Sequence, residues 1–456
     1  MKKLIKLIVL LLVLAGMVVG YVLYSGYMAK QEAENSDTPK DTTLQVLYLD
    51  SETITSIEYV YNEEKVSLKK VGDEWQWTED AEFPLEQSYP ESMLYAVSDI
   101  VADRLIAENL DNEADFGMDE PSFTINYSTS GGQSYVYTIG DYNSAAKAYY
   151  IKSSAQDKIY MTTDSAVDPF VYYMLEMIEV DTVPTVEAES IKSAEMLVSG
   201  KNKVLTTDKA GADFYADPYT YFYVGEDGVK IAADGQAAAE LMSAVAGVKL
   251  GDVVAFKPDA ETLEKYGLGE NKTFVLKVVY NEKVENNSSD TSVNVETEKS
   301  YSVNIGKYTT EDGKVEYYVM LDGSKILYEL TGGAALFAAM EADFASKLVC
   351  PILADDAVSF KIEIGTNVYF YNIADIENNE KLTGIFNSIT SISKTGTASG
   401  EKGELVLKTT FDMSDKEMVL EIYKYDEENY VVSFDKWDDI LVSSEKIDNI
   451  IKELQS

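Results

Sequence analysis

One stretch of this chain is written twice. FGMDEPSFTINY, starting at Phe116, leads into YVYTIGDYNSAAKAYYIKSSAQDKIYMT, and YGLGENKTFVLKVVY, starting at Tyr266, leads into YSVNIGKYTTEDGKVEYYVMLDGSKILYEL. In both copies an aromatic-glycine-apolar triplet precedes an alternating run and an Ile-Gly pair follows. Two tyrosines then stand ten residues apart, Tyr150 with Tyr160 and Tyr318 with Tyr328. Recurrence of this kind means that one supersecondary unit is used more than once, so any reading of one copy has to suit the other.

The runs around the first copy alternate with a period of two, the pattern of half-buried strands. ITSIEYVYN, KVSLKKVG and EWQWTED form a first meander; FTINYST, SYVYTIGDYN, AYYIKSS and KIYMTT form a second. Between them SYPESMLYAVSDIVADRLI places Met93, Leu94, Val97, Ile100 and Val101 at helical spacing, with Ser88 as cap and Pro90 in the first turn. SAVDPFVYYMLEMI is expected to close the unit as a second helix. The second copy has its helix at QAAAELMSAVAGV, a polar insertion at about 282–300 expected as an exposed hairpin or loop, and a closing helix in GGAALFAAMEADFASKL. A divergent third unit runs from VSFKIEIGTNVYFYNI through KLTGIFNSITSI and four more strands to the helix EKIDNIIKEL.

At 456 residues, two to four domains are expected on size alone. The expected fold class is α+β: an N-terminal transmembrane helix, then repeated modules of antiparallel β-meander plus amphipathic helices. The boundaries are 1–30 for the cytoplasmic N-terminus and anchor, 31–43 for a polar stalk, 44–185 and 186–350 for two modules, and 351–456 for the shorter third.

The anchor rests on MKKLIKLIVLLLVLAGMVVGYVLYSGYMAK, whose residues 7–24 are uncharged and apolar. That length is close to the ~20 residues a helix needs to cross ~30 Å of hydrocarbon. Lys2, Lys3 and Lys6 hold the N-terminus on the cytoplasmic side by the positive-inside rule, so the bulk of the chain is expected outside a bacterial cell membrane. A cleaved signal peptide is the competing reading, with its small-residue site near Gly20. QEAENSDTPKDTT then reads as a solvated stalk.

The formal charge of −41, with 79 acidic against 38 basic residues, repels phosphate backbones. Arg104 is the only arginine, so the bidentate fork of nucleic-acid readers is missing and no nucleic-acid partner is expected. With no histidine and a single cysteine, Ser-His-Asp and Cys-His catalysis and ordinary zinc sites are excluded. Cys350, in KLVCPIL, reads as a small buried residue.

The Trp75/Trp77 meander, the helix after it, FGMDEP with its variant YGLGEN, and the IGDY and YYI elements resemble the bacterial domain of unknown function 4340 family over roughly residues 50–345. The resemblance implies a membrane-tethered extracytoplasmic protein, often encoded beside ABC-type transporter subunits of the gliding-motility type. It transfers no catalytic residues, and Asn271 stands where the signature has a proline.

The acids Asp111, Glu113, Asp115, Asp119 and Glu120 cluster before the first copy's strand. Over the second copy only Asp111 and Glu120 meet acids, Glu261 and Glu270, so the cluster reads as solvated composition. No calcium loop pattern appears, and SGGQ from Ser130 and TGGAA from Thr331 lack the P-loop lysine and read as turns. Tyr135, Tyr137, Tyr149, Tyr150, Tyr160, Tyr301, Tyr317, Tyr318 and Tyr328 fall on strands, some of them expected to face solvent. These offer cross-strand pairing or a platform for glycan or peptide. No catalytic, cofactor or metal residue is assigned. The expected function is a non-enzymatic accessory or structural component of an ABC-type transporter complex; alternatives are a cell-surface binding module for cell-wall glycan or peptide, and a hydrolase working through carboxylates alone.

Overall fold

The computed structural model describes residues 43–108, 112–198, 200–212, 216–270, 274–286, 293–376 and 379–455. The chain divides into two compact units between Glu179 and Val180. The apolar segment 7–24, with the anchor expected there, lies outside the described residues. Among the described residues, no helix is long and apolar enough to cross a membrane.

The α+β expectation is corrected. The described residues are mainly β, in four antiparallel sheets of 2, 8, 9 and 7 strands, and the longest helices have only 12 residues. In the first unit the 8-stranded sheet runs Glu74–Trp77, Glu64–Val71, Ile54–Tyr61, Phe123–Thr129, Ser134–Asn143, Ala148–Ser153, Ile159–Thr163, Arg104–Ala107. Leu44–Tyr48 pairs separately with Asp99–Ala102. In the second unit the 9-stranded sheet runs Lys230–Ala232, Phe222–Val224, Lys201–Thr206, Ile191–Val198, Phe274–Asn286, Val293–Thr309, Val315–Leu321, Ile326–Thr331, Lys249–Phe256. The 7-stranded sheet runs Asn367–Asn372, Ser359–Ile364, Leu405–Asp412, Glu417–Lys424, Asn429–Phe434, Trp437–Ser443, Gly396–Thr397.

The three large sheets share one topology. The first strand of each (Ile54–Tyr61, Ile191–Val198, Ser359–Ile364) lies inside the sheet, and its meander runs out to one edge. A helix follows: α1 (Ser88–Ser98), α2 (Gly235–Ala246) or, after α3 (Ala260–Lys265) and α4 (Gly333–Glu341), α5 (Glu380–Thr390). After that helix a strand takes the opposite edge (Arg104–Ala107, Lys249–Phe256 or Gly396–Thr397), and a four-strand meander fills the space between. Hairpins need only short turns, so such an order keeps nearly all pairing local to its neighbours and needs only one crossing per sheet.

Two expected helices are where the fold class went astray. α1 stops at Ser98, and Asp99–Ala102 continues as a strand with a strict exposed-buried alternation that buries Ile100 and exposes Val101. Ser88 does not cap it: Gln87 holds the cap position without a side-chain bond to the helix, and its amide instead brackets Trp75, accepting from Trp75 N at 2.8 Å and donating to Trp75 O at 3.1 Å. The stretch 165–178 forms only single 3-10 turns at Asp164–Ala166, Asp168–Phe170 and Met174–Met177. Its backbone groups are taken by tertiary partners that a helix would forbid. Tyr59 Oη donates to Tyr172 O at 2.8 Å, Met174 N donates to Glu64 Oε1 at 3.0 Å, and Met177 O accepts from Glu86 N at 2.9 Å.

The insertion near 282–300 lengthens a hairpin, since Phe274–Asn286 pairs with Val293–Thr309 out to Asn286↔Val293. α4 ends at Glu341, seven residues before the expected end at Leu348. There Lys203 Nζ donates to Met340 O at 3.3 Å and Ala342 O at 3.1 Å, a cation on the carbonyls that a helix C-terminus leaves open. α6 (Ser444–Gln455) and α5 pack together over the third sheet, whose core is centred on Phe360, Phe386 and Phe411 with ring centroids 5.5–6.2 Å apart.

Candidate functional site

The repeated phrase builds a latch. Glu113–Phe116 is a 3-10 turn ending on Gly117 at φ 68°, and α3 is capped at its C-terminus by Tyr266, followed by Gly267 at φ 74°. In both, the residue after the glycine donates to the carbonyl five positions back, Met118 N to Glu113 O at 3.2 Å and Leu268 N to Leu263 O at 2.8 Å. This is the Schellman closure, in which the left-handed residue is a glycine because a Cβ is strained there. The apolar residue it turns inward is buried in each copy, Met118 and Leu268.

The Ile-Gly pair receives the turn. A Cβ on Gly140 would stand 2.1 Å from Phe116 O, and one on Gly306 would stand 1.9 Å from Tyr266 O. Only a residue without a side chain lets the strand and the turn come this close. The aromatic of the triplet then meets the first of the spaced tyrosines: Phe116 and Tyr150 have ring centroids 5.0 Å apart, and Tyr266 and Tyr318 4.2 Å apart. The second tyrosine clasps a segment from earlier in the chain. Tyr160 Oη donates to Gln156 Oε1 at 2.7 Å, beside the bond from Gln156 Nε2 to Val46 O. Tyr328 Oη accepts from Asp181 N at 2.7 Å and lies 3.0 Å from Asp181 Oδ2.

The acids around this latch do not converge. Glu113 pairs with Lys152 at 2.9 Å, while Asp115, Asp119 and Glu120 are exposed. Asp111 lies outside the described residues. Among the described residues there is no group of three or more potential metal-ligating side chains. SGGQ is the Ser134-side turn of a hairpin, closed by Thr129 N to Gln133 O at 2.9 Å, and Gly332 precedes α4 at φ 78°.

None of the nine strand tyrosines is exposed, which corrects the expectation that some face solvent. Tyr137, Tyr160, Tyr318 and Tyr328 are buried, and Tyr135, Tyr149, Tyr150, Tyr301 and Tyr317 are half-buried. The half-buried ones have ring partners: Tyr127 for Tyr135, Tyr142 for Tyr149, Phe116 for Tyr150, Tyr280 for Tyr301 and Phe337 for Tyr317. Cys350 is fully buried, and burial pushes its thiol far above the ordinary range, so it is a packing residue without nucleophilic character.

Two surface features escaped the sequence reading. The first is the edge strand Asn367–Asn372, NVYFYN. Tyr369 and Tyr371 turn toward the core of the third sheet, while Val368 and Phe370 face outward with 60% and 63% of their surface exposed. They sit opposite Glu363 and Lys361, which pair with each other at 3.2 Å. Other edges are blunted in the ways that protect sheets from adding strands. Glu74–Trp77 and Arg104–Ala107 have four residues each and begin on a charge, Gly396–Thr397 has two, and Lys249–Phe256 carries two irregularities in register. Alternation was visible in NVYFYN, but only the sheet order shows that, among the described residues, no strand pairs with its outer side.

The second feature is a cavity of about 450 Å3 within the second unit. Its floor is the chain between the two sheets there. On one side Ser346 N donates to Ala232 O at 2.9 Å and Phe344 O accepts from Asp234 N at 2.8 Å; on the other Lys394 N donates to Lys347 O at 2.7 Å and Val349 N to Ile392 O at 2.9 Å. Leu348 is thus paired with Ser393, which sets Lys347 directly across from Lys394 on one face. Both lysines line the cavity together with Trp437, Asp343 and Asp439.

The search of curated proteins and the search of solved structures each gave no match. Residues 75–220 match the family model of a domain of unknown function, DUF4340. The matched stretch contains the Trp75/Trp77 strand, the first latch and Tyr160; the second latch, at Tyr266, lies beyond it. Over residues 75–220, then, the chain matches the family that its motifs resemble, the domain of unknown function DUF4340.

Proposed function

We propose that this protein is a non-enzymatic accessory component of a membrane assembly, held at the extracytoplasmic side by the apolar segment 7–24, and that it works by docking a partner chain. The observation behind this reading is the open edge strand Asn367–Asn372. An exposed edge of uncharged residues with outward Val368 and Phe370 is the surface on which an extended segment adds as a further strand, its backbone supplying the bonds and its alternate side chains covering the two apolar residues.

Charge selects the occupant. The hairpin that carries the edge ends among Asp355, Asp356 and Asp375, and the whole chain bears −41, so a second copy is repelled while a strand flanked by lysine or arginine is attracted. ABC-type transporter subunits are the partners that the family resemblance implies. The repeated latch fits the same reading, because what the two copies share serves to close a module and leaves the surfaces free to differ.

The test is purification of the full chain from membranes in mild detergent, beside the double variant Val368→Lys/Phe370→Lys. The expected result is that an ABC-type permease or ATPase subunit is identified with the natural chain and lost with the variant, while both stay folded by circular dichroism. Recovery of no transporter subunit, or equal recovery with both chains, overturns the proposal.

A further inference from the structure

Lys347 and Lys394 form an arrangement that strand pairing alone disfavours. Like charges directly opposite across two strands are destabilising, and neither lysine has an ion pair with a described residue. In a chain with 79 acidic residues, an acid at either position would be the ordinary choice. Two cations are instead set side by side, at the mouth of a cavity whose volume falls within the roughly 300–1,000 Å3 of small-molecule sites.

The rest of the lining narrows the ligand. Trp437 offers a half-buried ring and Val349 and Ile440 an apolar wall, which suit a flat or ring-shaped body. Asp343 and Asp439 line the same cavity and repel a second negative charge, but accept hydrogen bonds from hydroxyl groups. Lysine ammoniums are point charges without the planar fork that grips phosphate from two sides. The combination fits a singly charged, hydroxylated ring.

We propose that this cavity binds an acidic sugar, with its carboxylate between Lys347 and Lys394, its ring on Trp437, and its hydroxyls toward Asp343 and Asp439. The site is independent of the open edge strand, so either proposal can fail without the other.

Glucuronate serves as the probe, with glucose as the neutral control and inorganic phosphate as the control for a generic anion, each titrated into the full chain while tryptophan fluorescence is followed. The expected result is a saturable change with glucuronate that disappears in Trp437→Phe and is weakened at least about tenfold in Lys347→Gln/Lys394→Gln. Glucose and phosphate are expected to give no comparable change. A second variant separates ligand binding from stability: Lys394→Glu places opposite charges across the pair, so its melting temperature is expected to rise while glucuronate binding is lost. No saturable response to glucuronate, an equal response to glucose or phosphate, or binding unchanged in the lysine variants overturns the proposal.

Discussion

The dipeptide Ile-Gly occurs in all three large sheets and does two different jobs. Ile139-Gly140 and Ile305-Gly306 press against the carbonyl of a neighbouring turn, whereas Gly365, after Ile364, sits at a hairpin tip at φ 57° with open space where a Cβ would be. The third sheet nevertheless has the same strand order as the other two. The latch is therefore one way of closing this topology and not the cause of it. The order of hairpins and a single helix crossing set the topology, and the third sheet closes instead on Phe360, Phe386 and Phe411.

The sharpest way to break this comparison is to add one methyl group at each glycine. Gly140→Ala and Gly306→Ala force a methyl onto a backbone oxygen, which has no side-chain freedom to move aside, and each is expected to cost about 3 kcal/mol. Gly365→Ala meets no atom and carries only the left-handed backbone strain, about 1 kcal/mol. Denaturant unfolding of the three variants checks the ranking. Gly140→Ala is expected to shift the transition of the unit ending at Glu179, and the other two that of the following unit; equal costs at all three positions would remove the latch from the account.

A smaller effect separates the two clasps. Tyr328→Phe removes both bonds to Asp181 and is expected to cost about 2 kcal/mol, against about 1 kcal/mol for Tyr160→Phe, which loses the one bond to Gln156. Thermal unfolding of the two variants measures the difference.

The smallest effect belongs to the third sheet. Hydrogen bonds from Tyr423 and then Lys408 hold the Glu421 carboxyl below its usual range. With the folded value depressed, the unfolded chain binds the proton more readily, so this contribution is complete above the ordinary carboxylate value and disappears as pH falls through the folded one. Glu421→Gln is expected to flatten that part of the acid limb slightly and leave stability at neutral pH less affected than Tyr328→Phe does. A stability-against-pH series of the variant and the natural chain tests it.

The hairpins were legible because their alternation is local: ITSIEYVYN, FTINYST and NYVVSFD each became the expected strand. DIVADRLI and SAVDPFVYYMLEMI were misread because their apolar residues suit a helix as well as a strand, and the choice is made elsewhere, by Val46's strand pairing with Asp99–Ala102 and by Tyr59 and Glu64 taking backbone groups of the second stretch. The recurrence of Phe-Gly-Met and Ile-Gly was visible in the text, but their contact was not, since each pair lies more than twenty residues apart in the chain. Lys347 and Lys394 were still further from legible. Nothing in either segment alone announces that a strip joining two sheets will place them face to face.

That strip has a mechanical consequence. Residues 344–349 are bonded through their backbone to Ala232 and Asp234 on one side and to Ile392 and Lys394 on the other, so they act as a seam shared by two sheets. A pull that tends to separate the sheets loads bonds on both sides of the seam together. Tension reaching one sheet is passed to the other by shear along the seam before either sheet has to open.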